Sequence, residues 1–148
     1  MNAHYLGHVV FYVRDLDRSL RFYRDLLGFK EVGHIFNGAA AALTSGRTHH
    51  ELLLIQVGDA PGPPPGPRRG LYHIGIKVGD SLDELRAAKK ELEGAGIAID
   101  GMSDHTVRQS LYVQDPDGNE VELYVDADDA IWKNNPEAVV SPIKPLRL

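Results

Sequence analysis

An α+β fold built from two copies of one β-α-β-β-β unit is the architecture this sequence predicts, and three observations carry the prediction. The run Leu71-Tyr72-His73-Ile74-Gly75-Ile76-Lys77-Val78 repeats an earlier one, Leu6-Gly7-His8-Val9-Val10-Phe11-Tyr12-Val13. With His73 laid on His8, Val78 falls on Val13, Asp80 on Asp15 and Leu85 on Leu20 without a gap. After each copy come an amphipathic helix and further β-prone runs, and a proline- and glycine-rich stretch separates the two sets. A supersecondary unit used twice is the first thing to read in such a chain. It relates His8 and His73 by a pseudo-two-fold axis, so that both can face one point.

The elements follow in order. Residues 7–13 are rich in valine and aromatics and are broken by Arg14-Asp15, which predicts a strand. Asp15 or Asp17 can cap the next helix, whose Leu16, Leu20, Phe22-Tyr23, Leu26 and Leu27 recur at helical spacing until Gly28 stops it. Residues 29–36, 39–44 and 51–57 read as strands, with Asn37-Gly38 a hairpin signal between the first two. Residues 58–70 hold five prolines that can neither pair in a sheet nor continue a helix, so they form a linker. In the second copy Ser81 or Asp80 caps a helix carrying Leu82, Leu85, Ala88 and Leu92, closed by Gly94 and Gly96. Residues 97–99, 107–113 and 119–125 read as its strands. Asp115-Pro116-Asp117-Gly118 turns between the last two, proline fixing φ and glycine accepting the positive value. The expectation is one domain over 1–148, with repeat one at about 4–57, repeat two at 71–125 and a tail at 126–148. That tail contains Trp132 and several prolines without periodicity.

Composition narrows the function classes. A net charge of −5 and the lack of any basic run argue against nucleic acid or an anionic membrane as partner. The chain has no cysteine, which removes disulfides, thiolate metal sites and a cysteine nucleophile. The opening residues lack the basic-then-apolar pattern of a signal peptide, and no apolar run approaches the roughly 20 residues of a membrane span. A cytoplasmic protein is the expectation.

Gly7-His8, the repeated unit, Tyr72-His73 and Asp115-Pro116-Asp117-Gly118-Asn119-Glu120-Val121-Glu122 together resemble the vicinal oxygen chelate superfamily, which contains glyoxalases, extradiol dioxygenases, fosfomycin-resistance enzymes and bleomycin-binding proteins. The resemblance implies two repeats forming a curved, half-open mixed sheet around a metal, with helices on the outer face. It also implies metal ligands on the first strand of each repeat and the last strand of the second, at His8, His73 and Glu122. Two neutral imidazoles and a carboxylate on three strands make a facial triad with open positions, which suits Fe(II), with Mn, Zn, Ni or Co as other divalent candidates. Strand alternation agrees. With Glu122 inward, Glu120 and Tyr124 share its face, while Val121, Leu123 and Val125 turn to the helix side.

Within that superfamily the stretch Thr48-His49-His50-Glu51-Leu52 separates two branches. The resemblance to glyoxalases makes Glu51 a fourth ligand, whereas the resemblance to extradiol dioxygenases makes His50 a proton-handling residue off the metal. Neighbouring strand residues face opposite sides, so one of the two is expected inward, and periodicity leaves the choice open. Asp104-His105-Thr106-Val107 and Ser110-Leu111-Tyr112 resemble the extradiol pattern, although Arg108 and Gln109 stand where smaller residues are usual. By that likeness His105 lines the substrate pocket and Tyr112 donates a hydrogen bond to substrate, while the tail covers the pocket. The expected activity is Fe(II)-dependent extradiol cleavage of a catechol-like diol, with an aromatic substrate and dioxygen as small-molecule partners. Only one module is present, which favours a homodimer that shields the site. Two alternatives are a glyoxalase- or epimerase-like metalloenzyme using Glu51, and a metal-free drug-binding or resistance protein.

Overall fold

The computed structural model describes residues 1–148. They form two compact units, Met1–Pro63 and Pro64–Leu148, whose boundary falls inside the proline-rich linker. The predicted α+β class and repeated unit are both present, and the strands form two sheets, one in each unit.

In the first unit β1 (Val9–Val13), β2 (Lys30–Ile35), β3 (Ala40–Thr44) and β4 (Leu52–Gln56) lie in the order β1-β4-β3-β2. β1 and β4 are parallel and the other pairs antiparallel. A parallel pair needs a crossover, and α1 (Leu16–Leu20) begins it, capped by Asp15, whose Oδ1 accepts the Arg18 N–H at 2.7 Å. The helix does not run on as an ordinary α-helix to Leu27. Arg21–Leu26 is a wider, π-helical turn in which the Leu27 N–H reaches the Phe22 carbonyl at 3.0 Å. That turn lets the successive aromatics Phe22 and Tyr23 both enter the core, where Tyr23 stacks on Phe11 and meets Phe22 edge to face. The β2–β3 connection forms at Asn37-Gly38 as expected, with positive φ at Phe36, Asn37 and Gly38.

The second unit repeats this plan with β5 (His73–Gly79), α2 (Leu82–Gly94), β6 (Gly101–Asp104), β7 (Arg108–Gln114) and β8 (Glu120–Asp126). The sheet order is β5-β8-β7-β6-β9, with β9 the short strand Lys144–Pro145 and with β5 and β8 parallel. Ser81, not Asp80, caps α2: its Oγ accepts the Glu84 N–H at 3.3 Å, while Glu84 reaches back to the Asp80 N–H at 2.8 Å. Gly79 is required there, because a Cβ would lie 2.7 Å from that of Glu84. α2 packs on β5, β7 and β8, burying Leu85 and Leu92 against Val113, Val121, Leu123 and Val125. The short strand expected at 97–99 is absent, and the sheet resumes at Gly101, where β6 registers on β7. The tail is more ordered than its sequence foretells: α3 (Ala130–Asn134), a 3-10 turn (Pro136–Val140) and β9 (Lys144–Pro145), which adds to the edge of β6. No helix is long and apolar enough to cross a membrane.

Candidate functional site

Glu122 is the centre of the site in the second unit. The β7–β8 hairpin fixes its register through the predicted turn, where buried Asp115 accepts the Asp117 and Asn119 N–H groups at 2.9 and 2.8 Å and Gly118 takes φ +82°. Valine and leucine at 121, 123 and 125 fill the helix side, so Glu122 faces the other side although only 3% of it is exposed. A carboxylate that deep needs donors, and β7 supplies them. Ser110 Oγ, Arg108 Nε and Tyr112 Oη donate to its Oε1 at 2.6, 2.9 and 3.3 Å. Burial alone would raise the pKa of Glu122, but the bonds from Ser110 and Arg108 and the nearby positive charge hold it below the ordinary carboxylate value.

The other oxygen is treated differently. Oε2 lies 3.3 Å from Nε2 of His73. The opposite ring nitrogen of His73, Nδ1, lies 3.2 Å from Glu120 Oε1, and an ionised carboxylate only accepts, so Nδ1 carries the proton. Glu120 is steadied in turn by the Tyr72 hydroxyl, whose pKa that bond raises. In this geometry Nε2 holds either a proton or a metal ion toward Glu122. The carboxylate–histidine pairing is the usual outer support of a metal-bound imidazole. Gly75, two residues along β5, lies beside the site: a Cβ there would meet Tyr124 Cε1 at 3.4 Å and Glu122 Oε2 at 3.6 Å, both ordinary contacts.

His105 and Tyr112 complete this cluster. His105 Nε2 is 2.7 Å from the Tyr112 hydroxyl, which passes its own hydrogen to Glu122. Burial and then the Arg108 charge lower the His105 pKa, while burial and the Glu122 charge raise that of Tyr112. At neutral pH the histidine is a base and the tyrosine a donor. The turn that carries His105 is strained, because β-branched Thr106 sits at φ +69° with its buried Oγ1 unpartnered.

The first unit brings His8 and His50 together, with ring centroids 4.6 Å apart, and His49 follows on His50 with its Nδ1 at 2.6 Å. Burial, then the like charge of His49 and His8, lowers the His50 pKa. Glu51 is engaged elsewhere. Its Oε2 accepts from Ser45 N and Thr44 Oγ1 at 2.8 and 3.0 Å, and its Oε1 from Ser45 Oγ at 2.8 Å. Burial would raise Glu51, yet these bonds keep it ionised to lower pH than usual. Both oxygens therefore belong to the β3–β4 loop.

Within neither unit do three imidazole or carboxylate donors gather about one point. The second unit supplies two, His73 and Glu122, and their donor chemistry fits a divalent ion: an imidazole nitrogen beside a carboxylate oxygen, each anchored from behind. Sequence reasoning missed the anchors, namely Arg108 and Ser110 on Glu122 and Glu120 on His73. Their signal was present, since Arg108, Ser110 and Tyr112 alternate with Leu111 and Val113 and so share one face of β7.

Comparison with known proteins bears on the family and the fold. The chain is 35% identical over 133 residues to a catechol-2,3-dioxygenase of Bacillus subtilis, matching 90% of this chain and 45% of that protein. It is 34% identical over 131 residues to biphenyl-2,3-diol 1,2-dioxygenase 3 of Rhodococcus globerulus, matching 82% of this chain and 63% of that one. The chain thus spans roughly half of the curated relatives it matches. A glyoxalase/dioxygenase from Nostoc punctiforme superposes with a TM-score of 0.72 over 84% of this chain and 92% of its own, at 21% identity, and so shares the fold. Residues 5–123 match one family directly, and with the repeated β-α-β-β-β plan they establish that this chain belongs to the Glyoxalase/Bleomycin resistance protein/Dioxygenase superfamily.

Proposed function

We propose that this protein is an extradiol-type dioxygenase that uses Fe(II), held by His8, His73 and Glu122, to open the ring of a catechol-like diol. The observation that carries the reading is the arrangement around Glu122: Oε1 fixed by three donors, Oε2 turned to Nε2 of an imidazole whose far nitrogen is backed by Glu120. The names of the relatives support the reaction class. Glu51 supports the dioxygenase branch over a glyoxalase-like one, because its oxygens are committed to Ser45 and Thr44.

When bound, the metal acidifies the diol hydroxyls and activates dioxygen beside them. The chain's residues manage protons and charge. His105, kept neutral by burial, accepts a proton from the diol, and the bond to Tyr112 orients its ring. Tyr112 stays protonated and, by turning its one hydrogen from the long 3.3 Å bond to Glu122, offers a hydrogen bond to oxyanion character as the ring opens. His50, also kept neutral, serves as a second proton carrier.

The test is oxygen uptake and the appearance of a yellow ring-opened product when the iron-loaded chain meets a panel of diverse catechols. Uptake that disappears in His8→Ala together with bound iron is the expected result. No uptake across the panel overturns the reading. A variant His8→Ala that keeps tight aromatic binding without iron would instead mark a metal-free binding protein.

A further inference from the structure

The second unit contains a cavity of about 460 Å³ whose wall includes Glu122, Val107, Tyr124 and the tail residues Trp132 and Val139. Apolar and aromatic walls with a few polar groups are what a planar ring requires. Arg108 is in the same wall and is its only cation. The other carboxylate there, Asp126, is paired with Lys77 Nζ at 2.9 Å.

Arg108 is used sparingly by the fold. Its Nε makes the one bond to Glu122, on an oxygen that Ser110 and Tyr112 also serve. A guanidinium whose whole task is to hold a carboxylate typically does so with two parallel N–H bonds. Here the two terminal nitrogens bond no other group of the chain, and the side chain is 27% exposed at the cavity. That leaves a planar pair of charged donors beside an aromatic-lined space.

We propose that Arg108 makes this cavity select an aromatic diol with an anionic substituent, a carboxylated catechol, whose carboxylate meets the terminal guanidinium nitrogens while the ring lies among Val107, Trp132 and Val139. The diol part rests on the ring-cleavage reading. The anion preference rests only on the guanidinium and the apolar wall.

The experiment titrates the full chain, supplied with iron(II) under nitrogen, with a dihydroxybenzoate and with methylcatechol. Calorimetry reads affinity, and emission from Trp132, the only tryptophan, locates the ligand. A charge-assisted bond predicts that the carboxylated ligand binds about tenfold tighter. Arg108→Gln should shrink that gap to about twofold or less, Arg108→Lys should keep much of it, and added salt should narrow it. Equal affinities in the natural protein, or an undiminished gap in Arg108→Gln, overturn the proposal. If Arg108→Gln fails to fold, a gap that is insensitive to salt and lost in the charge-preserving Arg108→Lys overturns it equally. Oxygen uptake separates the two readings. Uptake with both catechols but no affinity gap sinks the role of Arg108 alone, whereas an Arg108-dependent gap without uptake sinks ring cleavage and leaves an anion-selecting site.

Discussion

The two repeats share a topology but treat equivalent positions in opposite ways. His73 pairs with Glu120 and Gly75 with Glu122 across β5 and β8, while Val9 pairs with Leu52 and Val10 with Leu53 across β1 and β4. Carrying that register one residue back sets His8 opposite Glu51, so Glu51 corresponds to Glu120 and Leu53 to Glu122. In the second repeat the first carboxylate supports its histidine and the second faces it. In the first repeat the carboxylate turns away into a loop, a leucine stands at the second position, and the histidine finds a histidine, His50. The second repeat thus sets one histidine against two carboxylates, and the first sets histidines side by side.

Exchanging the roles of the carboxylates breaks this contrast most sharply. Glu122→Gln should lower kcat/KM by about a thousandfold or more and abolish iron binding, beyond the roughly 10–100-fold typical of a ligand's outer partner. Glu51→Gln should leave iron content unchanged and activity within about twofold, because Glu51 serves the β3–β4 loop. Its cost is stability, about 1–3 kcal/mol for the lost and mismatched bonds, read by chemical denaturation. The pH dependence carries a sign. A carboxylate with a folded pKa below its unfolded value stabilises fully above the unfolded value, and that contribution fades as pH falls through the folded one. The natural protein should lose this increment in acid, and Glu51→Gln should not. Loss of iron in Glu51→Gln would reverse the assignment and favour the glyoxalase-like branch.

The next effect concerns His105. Replacing it with Asn should cut kcat by about 10²–10⁴-fold, the usual size of an acid–base contribution, with little change in iron content. Because burial depresses its pKa, the acid limb of kcat/KM in the natural protein should lie below the ordinary 6.5. An acid limb above that value would assign the proton to another group.

A smaller effect tests the outer support. Glu120→Gln keeps an acceptor for His73 Nδ1 but removes its charge, and should weaken iron binding by about 10–100-fold while leaving the thermal midpoint nearly unchanged. The same exchange in the first repeat is Glu51→Gln, so the pair measures how far the two positions have diverged. Equal losses of iron in both would mean they have not.

Much of this was legible in the sequence because the repeat is a statement about spacing, and spacing survives folding. His8 and His73 align without a gap, and the Asp115–Gly118 turn sets the face of Glu122 two strand positions at a time. What stayed hidden depends on where side chains end rather than where they begin. Alternation could not choose between His50 and Glu51, because both precede the first residue of β4 and the loop bonds of Ser45 decide the matter. The π-helical turn at Arg21–Leu26 was invisible to a helical period because it arises from packing two adjacent aromatics. The tail's pairing with β6 is set by the edge it meets, and a two-residue strand leaves no periodic trace.

The smallest effect bears on how the second repeat holds His105. Thr106 adopts φ +69°, where a β-branched residue costs roughly 1–2 kcal/mol, and its buried hydroxyl has no partner to offset that. The turn persists because the Thr106 N–H is held by Asp104 Oδ1 at 2.7 Å and His105 N–H by the Arg108 carbonyl at 2.9 Å. Thr106→Gly should therefore raise stability by about 1 kcal/mol, since glycine takes positive φ freely but loses more chain entropy on folding. If the strain serves only to aim the imidazole, activity should stay the same, because the two bonds remain. A gain in stability coupled to a fall in kcat would show that the threonine side chain itself confines His105, and a loss of stability would show that its methyl group packs more favourably than the left-handed backbone costs.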